Sequence, residues 1–235
     1  MRSFELRVSH EVLKPTHNIL NYADWMGNHL KEEEFNGDEV WKDLNMINRQ
    51  AKRQKYNLQV IKTLYGRGEY TVDGSDLFNL VHESWEEIEP IANRYNIPPE
   101  ALEIKVAPNK YIMNVDTNAF VMVFSNLFEN AIKYHDESQE TIICVSASYH
   151  KDGNFYIQIL DNGIGVEEVD KDSIFNERYR GRNVPNNDGS GLGLATVRRI
   201  VEDFNGKIEI IKLIKPTLFV IMLSKDVVYC NTNVK

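Results

Sequence analysis

The 235-residue sequence contains only two cysteines and no long apolar run. Cys144 and Cys230 are too few for a disulfide framework and lack the spacing of a metal site, so we expect reduced thiols. No apolar run approaches the roughly 20 residues that cross a bilayer, and residues 1–10 lack the apolar stretch of a signal peptide. The sequence therefore predicts a soluble chain in the cytoplasm.

Basic residues are also in the minority. Lys and Arg total 27 and Asp and Glu total 35, which gives a formal charge of −8. Because nucleic-acid binding depends on neutralising phosphates, this balance argues against a general nucleic-acid partner. Charged residues make up 26% and hydrophobic residues 42% of the chain, which is typical of a soluble protein with one large domain or two small ones.

The first 67 residues have the pattern of two long helices. Apolar residues recur at alternating steps of four and three, and Asn36-Gly37 marks the turn between the helices. One hairpin cannot bury two such wide apolar faces, whereas two hairpins can bury them in a four-helix bundle. Residues 1–67 are therefore predicted to form a homodimer; the alternative is that the hairpin packs on the rest of its own chain.

Residues 76–235 are predicted to form an α/β domain, joined to the hairpin by a glycine-containing linker at 68–75. Strands connected by hairpins and interleaved with helices favour a two-layer α/β sandwich. The stretch 163–189 has little periodicity and few large apolar residues, so we expect a mobile lid there. Helices are predicted at 118–134 and 192–204, and strands at 102–106, 111–115, 141–149, 154–160, 207–213 and 217–223.

Polar residues share one face of the first of these two helices. Carboxamide oxygens on such a face can bind Mg²⁺, and a lysine is a compact charge for phosphate oxygens. The simpler alternative is a polar helix face exposed to water. The residues follow one another at steps of four, three and one: Asn126, Asn130, Lys133 and Tyr134.

Two glycine-containing segments complete the pattern. Asp161 ends a predicted strand, where its carboxylate can accept a hydrogen bond from an amine such as that of adenine. Gly163 and Gly165 would allow a flat ring to approach. The second segment, at the start of the next helix, can bind an anion but contains neither the GK[ST] of a P-loop nor a strand that runs directly into it. It consists of Gly189, Gly191, Leu192 and Gly193.

In their order and spacing, these segments resemble the ATP-binding domain of the histidine kinase, gyrase and Hsp90 superfamily. NLFENAIKY is similar to its asparagine box, DNGIG to its first glycine box and GSGLGLATVRRIV to its second. IFNERYRG, residues 174–181, resembles the phenylalanine box of histidine kinases, with Arg178 where a second aromatic residue is usual. VSHEVLKP resembles their phosphoacceptor box, which begins at His10-Glu11 and departs from the usual pattern at Leu13 and Lys14.

The resemblance implies the cytoplasmic core of a two-component sensor histidine kinase, a class whose parent proteins are often membrane-anchored. It implies a Bergerat-type ATP-binding fold, with ATP and Mg²⁺ as cofactors. The γ-phosphoryl group would pass from ATP to His10, beside Glu11, and then to an aspartate in the receiver domain of a response regulator. The implied roles are metal binding by Asn130 with support from Asn126, phosphate binding by Lys133 and Arg180, and adenine binding by Tyr134 and Asp161.

Two other functions stay open at this point. The departures at Leu13 and Lys14 suggest a non-catalytic scaffold that binds nucleotide and a signalling partner. A gyrase/Hsp90-type ATP-driven clamp is disfavoured, because those ATPases carry a glutamate as general base where this chain has Asn126. A carboxamide cannot accept a proton from water.

Replacing His10 with alanine should abolish acid-labile, alkali-stable phosphorylation and leave ATP binding nearly unchanged, because the ring accepts the phosphoryl group without holding the nucleotide. Labelling with γ-labelled ATP and nucleotide titration measure the two properties. His17, two turns along the same helix face, is the matched control, and its alanine variant should be labelled normally. Labelling that persists without His10 and disappears without His17 would contradict the assignment.

Overall fold

The computed structural model describes residues 70–181 and 191–231, together with ten helical positions between residues 21 and 65. The chain divides into two compact units, residues 1–67 and 68–235. His10, Glu11 and Gly189 lie outside the described residues, so their roles stay predictions, as does the four-helix bundle. The described positions of the first unit are Asn21, Leu44, Ile47, Ala51, Leu58, Val60, Ile61, Thr63, Leu64 and Tyr65.

In its described part, the second unit contains three α-helices and eight strands. Within that part and the ten positions of the first unit, no helix combines the length and the apolar character needed to cross a bilayer. Short 3₁₀ turns occur at Pro99–Ala101 and Glu168–Asp170. The helices are α1 (Leu77–Arg94), α2 (Thr117–Lys133) and α3 (Gly193–Asp203), and the strands are β1 (Asp73–Asp76), β2 (Leu102–Ile104), β3 (Tyr111–Val115), β4 (Ile143–Tyr149), β5 (Phe155–Asp161), β6 (Lys207–Lys212), β7 (Thr217–Leu223) and β8 (Val228–Cys230).

The strands form two sheets. The larger sheet has the order β2-β4-β5-β7-β6, in which β2 is parallel to β4 and the other pairs are antiparallel. Alternate residues of its central strands are buried, and they face one another in register, as Ile157 does with Ile221. One face of the sheet is thus apolar and packs under the helices, which confirms the predicted α/β sandwich. The smaller sheet has the order β1-β3-β8.

Helix α2 is the centre of the apolar core. Asp116 caps its first turn, where Oδ1 accepts a hydrogen bond from the Ala119 N–H at 2.8 Å. Phe120, Phe124 and Phe128 recur at steps of four and are fully buried. Helices α1 and α3 both pack against α2. The burial of this row of rings determines which way the remaining faces of α2 point.

Three elements of the second unit lie outside the predicted ones. Helix α1 was not predicted, although its buried residues Leu77, Val81 and Ile88 have helical spacing. Pro90 lies inside it, and a proline normally argues against a helix interior. Strand β1 falls largely within the predicted linker, and its polar sequence DGSD is extended because it pairs with β3. Strand β8 is only three residues long.

Part of the predicted lid is packed against the domain. Ile174 and Phe175 are buried, and the Phe175 ring contacts that of Phe219 with centroids 6.3 Å apart. Asp170 is fully buried, and its Oδ1 accepts a hydrogen bond from the Tyr179 hydroxyl at 2.7 Å. The expectation of little buried surface throughout 163–189 is therefore wrong for this part, because a few apolar residues and one buried carboxylate suffice to anchor it.

Truncating Phe124 to alanine should lower the free energy of unfolding by about 3–5 kcal/mol, because the ring is fully buried and leaves a cavity. Thermal and urea unfolding of the full chain measure the loss. Ile211→Ala is the control, since this side chain is 53% exposed and its removal should change stability by no more than about 0.5 kcal/mol. Equal losses in the two variants would mean that α2 is not the centre of the core.

Candidate active site

Asp161 and Thr217 form a buried polar pair at one end of the large sheet. Asp161 is the last residue of β5 and pairs in register with Thr217, the first residue of β7. The Asp161 side chain is 8% exposed, and its Oδ1 accepts a hydrogen bond from the Gly163 N–H at 2.9 Å. Within the described chain, Thr217 Oγ1 is buried without a hydrogen-bond partner. A carboxylate beside an unsatisfied hydroxyl suits a flat ring that carries both an amine and a ring nitrogen, as adenine does.

The electrostatics of this pair follow from its burial. Desolvation raises the pKa of the Asp161 carboxyl. The hydrogen bond from Gly163 opposes the shift, and so does Thr217, which lies close to the carboxyl but outside hydrogen-bond geometry. A ligand amine that donates to the carboxylate would favour its ionised form.

Gly163 and Gly165 are required by contacts between chain segments. A Cβ on Gly163 would lie 2.4 Å from the carbonyl oxygen of Tyr134, which accepts a hydrogen bond from the Ile164 N–H at 2.9 Å. Gly165 has a φ of +83°, and a Cβ there would lie 2.5 Å from the Leu213 carbonyl oxygen. The sequence predicts room for a flat ring at these glycines. In the structure Gly163 lets the loop after Asp161 pack against the end of α2, and Gly165 lets the same loop pack against the connection between β6 and β7.

The asparagines of α2 have different surroundings. Asn126 is buried, and its Nδ2 donates to the Met122 carbonyl at 2.7 Å. Its Oδ1 faces Gly193, where a Cβ would lie only 2.6 Å away. Asn130 is half-buried, and within the described chain its carboxamide makes no hydrogen bond. Asn126 therefore joins α2 to the start of α3, whereas the Asn130 carboxamide has no hydrogen-bond partner among the described residues.

Lys133 and Tyr134 complete this end of α2. Lys133 Nζ forms an ion pair with Glu129 Oε1 at 2.5 Å, one helical turn away, and both side chains are mostly covered. Glu129 was not singled out from the sequence, although its i,i+4 spacing to the lysine was visible. Tyr134 follows the last helical residue and is half-buried.

The start of α3 is joined to the segment before it. The Arg178 N–H donates to the Gly191 carbonyl at 2.7 Å, and a Cβ on Gly191 would lie 2.7 Å from Arg178 Cα. Leu192 is buried, and its carbonyl accepts hydrogen bonds from both the N–H and the hydroxyl of Thr196. The N–H groups that open α3 can bind an anion. Arg180 is exposed two residues after Arg178.

The site residues thus converge on α2 from two directions. The loop after Asp161 meets the end of α2 where Gly163 and Ile164 contact Tyr134, and the start of α3 meets α2 at Asn126. Among the residues that the structure describes, no three acidic, histidine or cysteine side chains cluster as metal ligands. Asn130 still fits Mg²⁺, because this ion takes most of its ligands from phosphate and water and needs few from protein.

Comparisons with known proteins find relatives of this chain. Residues 115–226 match the family described as histidine kinase-, DNA gyrase B-, and HSP90-like ATPase. The chain is 27% identical over 171 residues to the sensor protein RprX of Bacteroides fragilis. This alignment covers 69% of the present chain and 32% of RprX. The chain is also 25% identical over 217 residues to the sensor protein kinase WalK of Staphylococcus haemolyticus. That alignment covers 88% of the present chain and 34% of WalK.

A solved structure shares the fold. The Acinetobacter baumannii histidine kinase AdeS aligns with a TM-score of 0.59 at 18% identity, over 92% of this chain and 98% of that structure. At this identity the likeness concerns the fold alone. The chain spans about a third of the length of RprX and of WalK.

Asp161→Asn should weaken ATP binding at neutral pH by at least about tenfold, because the acceptor for the adenine amine is replaced by a neutral amide. The same variant should melt at a higher temperature than the wild type at pH 7. The raised pKa means that Asp161 binds its proton more tightly when folded. Its ionisation therefore destabilises the fold once the pH rises through the folded pKa.

This gain in melting temperature should shrink as the pH falls toward the ordinary aspartate pKa of about 4. Thermal melts between pH 4 and 8 and nucleotide titrations measure the two effects. Asp172→Asn, at an exposed position, is the control and should change neither. Unchanged ATP affinity in the Asp161 variant would remove this residue from the base site.

Proposed function

We propose that this chain is a histidine autokinase of the two-component sensor type, because residues 115–226 match the histidine kinase-, DNA gyrase B-, and HSP90-like ATPase family and the chain's relatives include sensor proteins and sensor protein kinases. The γ-phosphoryl group of ATP passes to His10 and then to an aspartate in the receiver domain of a response regulator. The observation that supports this best is the contact of Asn126 with Gly193, which sets the asparagine face of α2 beside the start of α3.

The nucleotide binds along that face. Adenine donates its amine to Asp161, lies near Thr217 and packs on Tyr134. The phosphates approach the N–H groups at the start of α3, and Lys133 exchanges Glu129 for a phosphate oxygen. Asn130 holds Mg²⁺, which neutralises charge on the triphosphate.

Transfer requires the second unit to present the γ-phosphate to His10. The neutral imidazole nitrogen forms the new N–P bond, the bond between the γ-phosphorus and the bridging oxygen breaks, and ADP leaves. Glu11 orients the ring and accepts the proton of its other nitrogen. Arg180 stabilises the charge on the transferring group. Residues 1–67 supply the homodimer through a four-helix bundle.

Asn126 argues against the alternative of an ATP-hydrolysing clamp. Its amide is engaged with Met122 and its oxygen faces Gly193, so the side chain supports the α2–α3 contact. A carboxamide held in this way cannot activate water. The phosphoryl group is therefore transferred to a protein side chain.

The full chain incubated with γ-labelled ATP and Mg²⁺ tests the proposal directly. We expect label on the protein that is labile in acid and stable in alkali. Release of inorganic phosphate without labelled protein would favour the clamp. Nucleotide binding with neither product would favour the non-catalytic scaffold.

Asn130→Ala should weaken binding of Mg²⁺-ATP by about tenfold or more and change binding of metal-free ATP little, because the lost oxygen is a metal ligand. Calorimetry with and without Mg²⁺ separates the two affinities. Asn118→Ala is the matched control, since this asparagine lies exposed on the first turn of the same helix. An equal loss with and without the metal would make Asn130 a structural residue.

A further inference from the structure

The loop that follows Asp161 is enclosed by two other chain segments. On one side the Ile164 N–H donates to the Tyr134 carbonyl at 2.9 Å, and on the other the Val166 N–H donates to the Leu213 carbonyl at 2.7 Å. The first segment leaves α2 and the second connects β6 to β7. Both contacts use backbone groups, so they hold the loop without depending on the side chains of Ile164 and Val166.

An ion pair joins the two enclosing segments directly. Lys215 Nζ lies 2.6 Å from Asp136 Oδ2. Asp136 follows α2 by three residues, and Lys215 lies in the β6–β7 connection. This ion pair between Asp136 and Lys215, which we term the clasp, therefore closes a ring of chain around residues 161–166.

A second set of contacts joins the clasp to the residue beside Asp161. Asp136 Oδ2 also accepts a hydrogen bond from Gln139 Nε2 at 3.1 Å, and the same nitrogen donates to the Asn162 carbonyl at 2.9 Å. Asn162 in turn accepts a hydrogen bond from the Ile142 N–H at 2.8 Å and donates to the Glu140 carbonyl at 2.8 Å. The backbone at Asn162, directly after Asp161, is thus linked through Gln139 to the carboxylate of Asp136.

The Asp136 carboxyl of the clasp stays ionised over the physiological range. Lys215, and then Ser138, hold the pKa of Asp136 well below its usual range. The Asp136 side chain is 14% exposed and that of Lys215 is 56% exposed. An ion pair with one partner in water contributes little to global stability, so we expect its effect in the placement of the loop.

The loop needs such an external restraint because of its composition. Gly163 and Gly165 leave the backbone free to take many conformations, and Gly165 has a φ of +83°. The Asp161 backbone is set by its pairing with Ile143 and Thr217, whereas its carboxylate accepts a hydrogen bond from the Gly163 N–H within this same loop. A shift of the loop would therefore turn the Asp161 carboxylate away from the buried hydroxyl of Thr217.

We propose that Asp136 and Lys215 are positioning residues for base recognition, whose ion pair fixes Asp161 against Thr217 and so determines the preference for adenine over guanine. Neither side chain touches the base; both act through the loop from Asp161 to Val166. The inference rests on the proposed function, in which this site binds ATP. Guanine has an oxygen where adenine has the amine, and the carboxylate repels it only when correctly placed.

Lys215→Met tests the proposal, because methionine keeps much of the aliphatic length and removes the charge. In the full chain we expect the affinity for ATP to fall about tenfold and the affinity for GTP to change little, so that the ratio of the two falls. Asp136→Asn should give the same result, and the double variant should show no further loss. Lys215→Arg should retain the wild-type ratio. Lys212→Met, at an exposed position in the same hairpin, is the control.

The outcomes distinguish the role of the Asp136–Lys215 ion pair from the proposed function of the chain. Wild-type affinities and ratio in both single variants would overturn the clasp and leave the proposed function intact. Equal losses for ATP and GTP, with a lower melting temperature, would mean that the ion pair is only structural, which also overturns it. Failure of the wild-type chain to bind ATP would overturn the proposed function, and the inference with it.

Discussion

The rotational setting of α2 is the constraint on which the site depends. Phe120, Phe124 and Phe128 can be buried together in only one orientation of the helix, with the apolar row against the core. That orientation leaves Asn130 at the boundary of the core and brings Asn126 against the start of α3. The packing of the phenylalanine row therefore sets the direction of the polar face of α2, and no separate interactions are needed to orient that face.

Close backbone approach is the second requirement of this architecture. Gly163, Gly165, Gly191 and Gly193 each occupy a position where a Cβ would lie less than 3 Å from another atom. Side chains at these positions would separate segments that must meet. The three segments of the site are distant in the sequence, and they converge because these glycines let one chain segment contact the next.

The sequence predicted the elements near the motifs better than those away from them. Helices α2 and α3 and most strands have regular apolar patterns that survive in the fold. The helix at Leu77–Arg94 has such a pattern too, but Pro90 argues against a helix there. The structure accommodates this proline because the carbonyl that loses its N–H partner belongs to Glu86, which is exposed. The polar strand Asp73–Asp76 and the partner hydroxyl of Thr217 could not be predicted, since both depend on which distant strand lies alongside.

Under the proposed function, in which Lys133 binds phosphate, its ion pair with Glu129 has a consequence for the lifetime of bound nucleotide. Because Lys133 is paired with Glu129, a phosphate that bound the lysine would replace a carboxylate and would gain only the difference between the two interactions. When the product must depart, Glu129 is one helical turn away and can take the lysine back. Glu129 would thus compete with phosphate for the lysine, which would limit how strongly the triphosphate is held and would favour exchange of ADP for ATP.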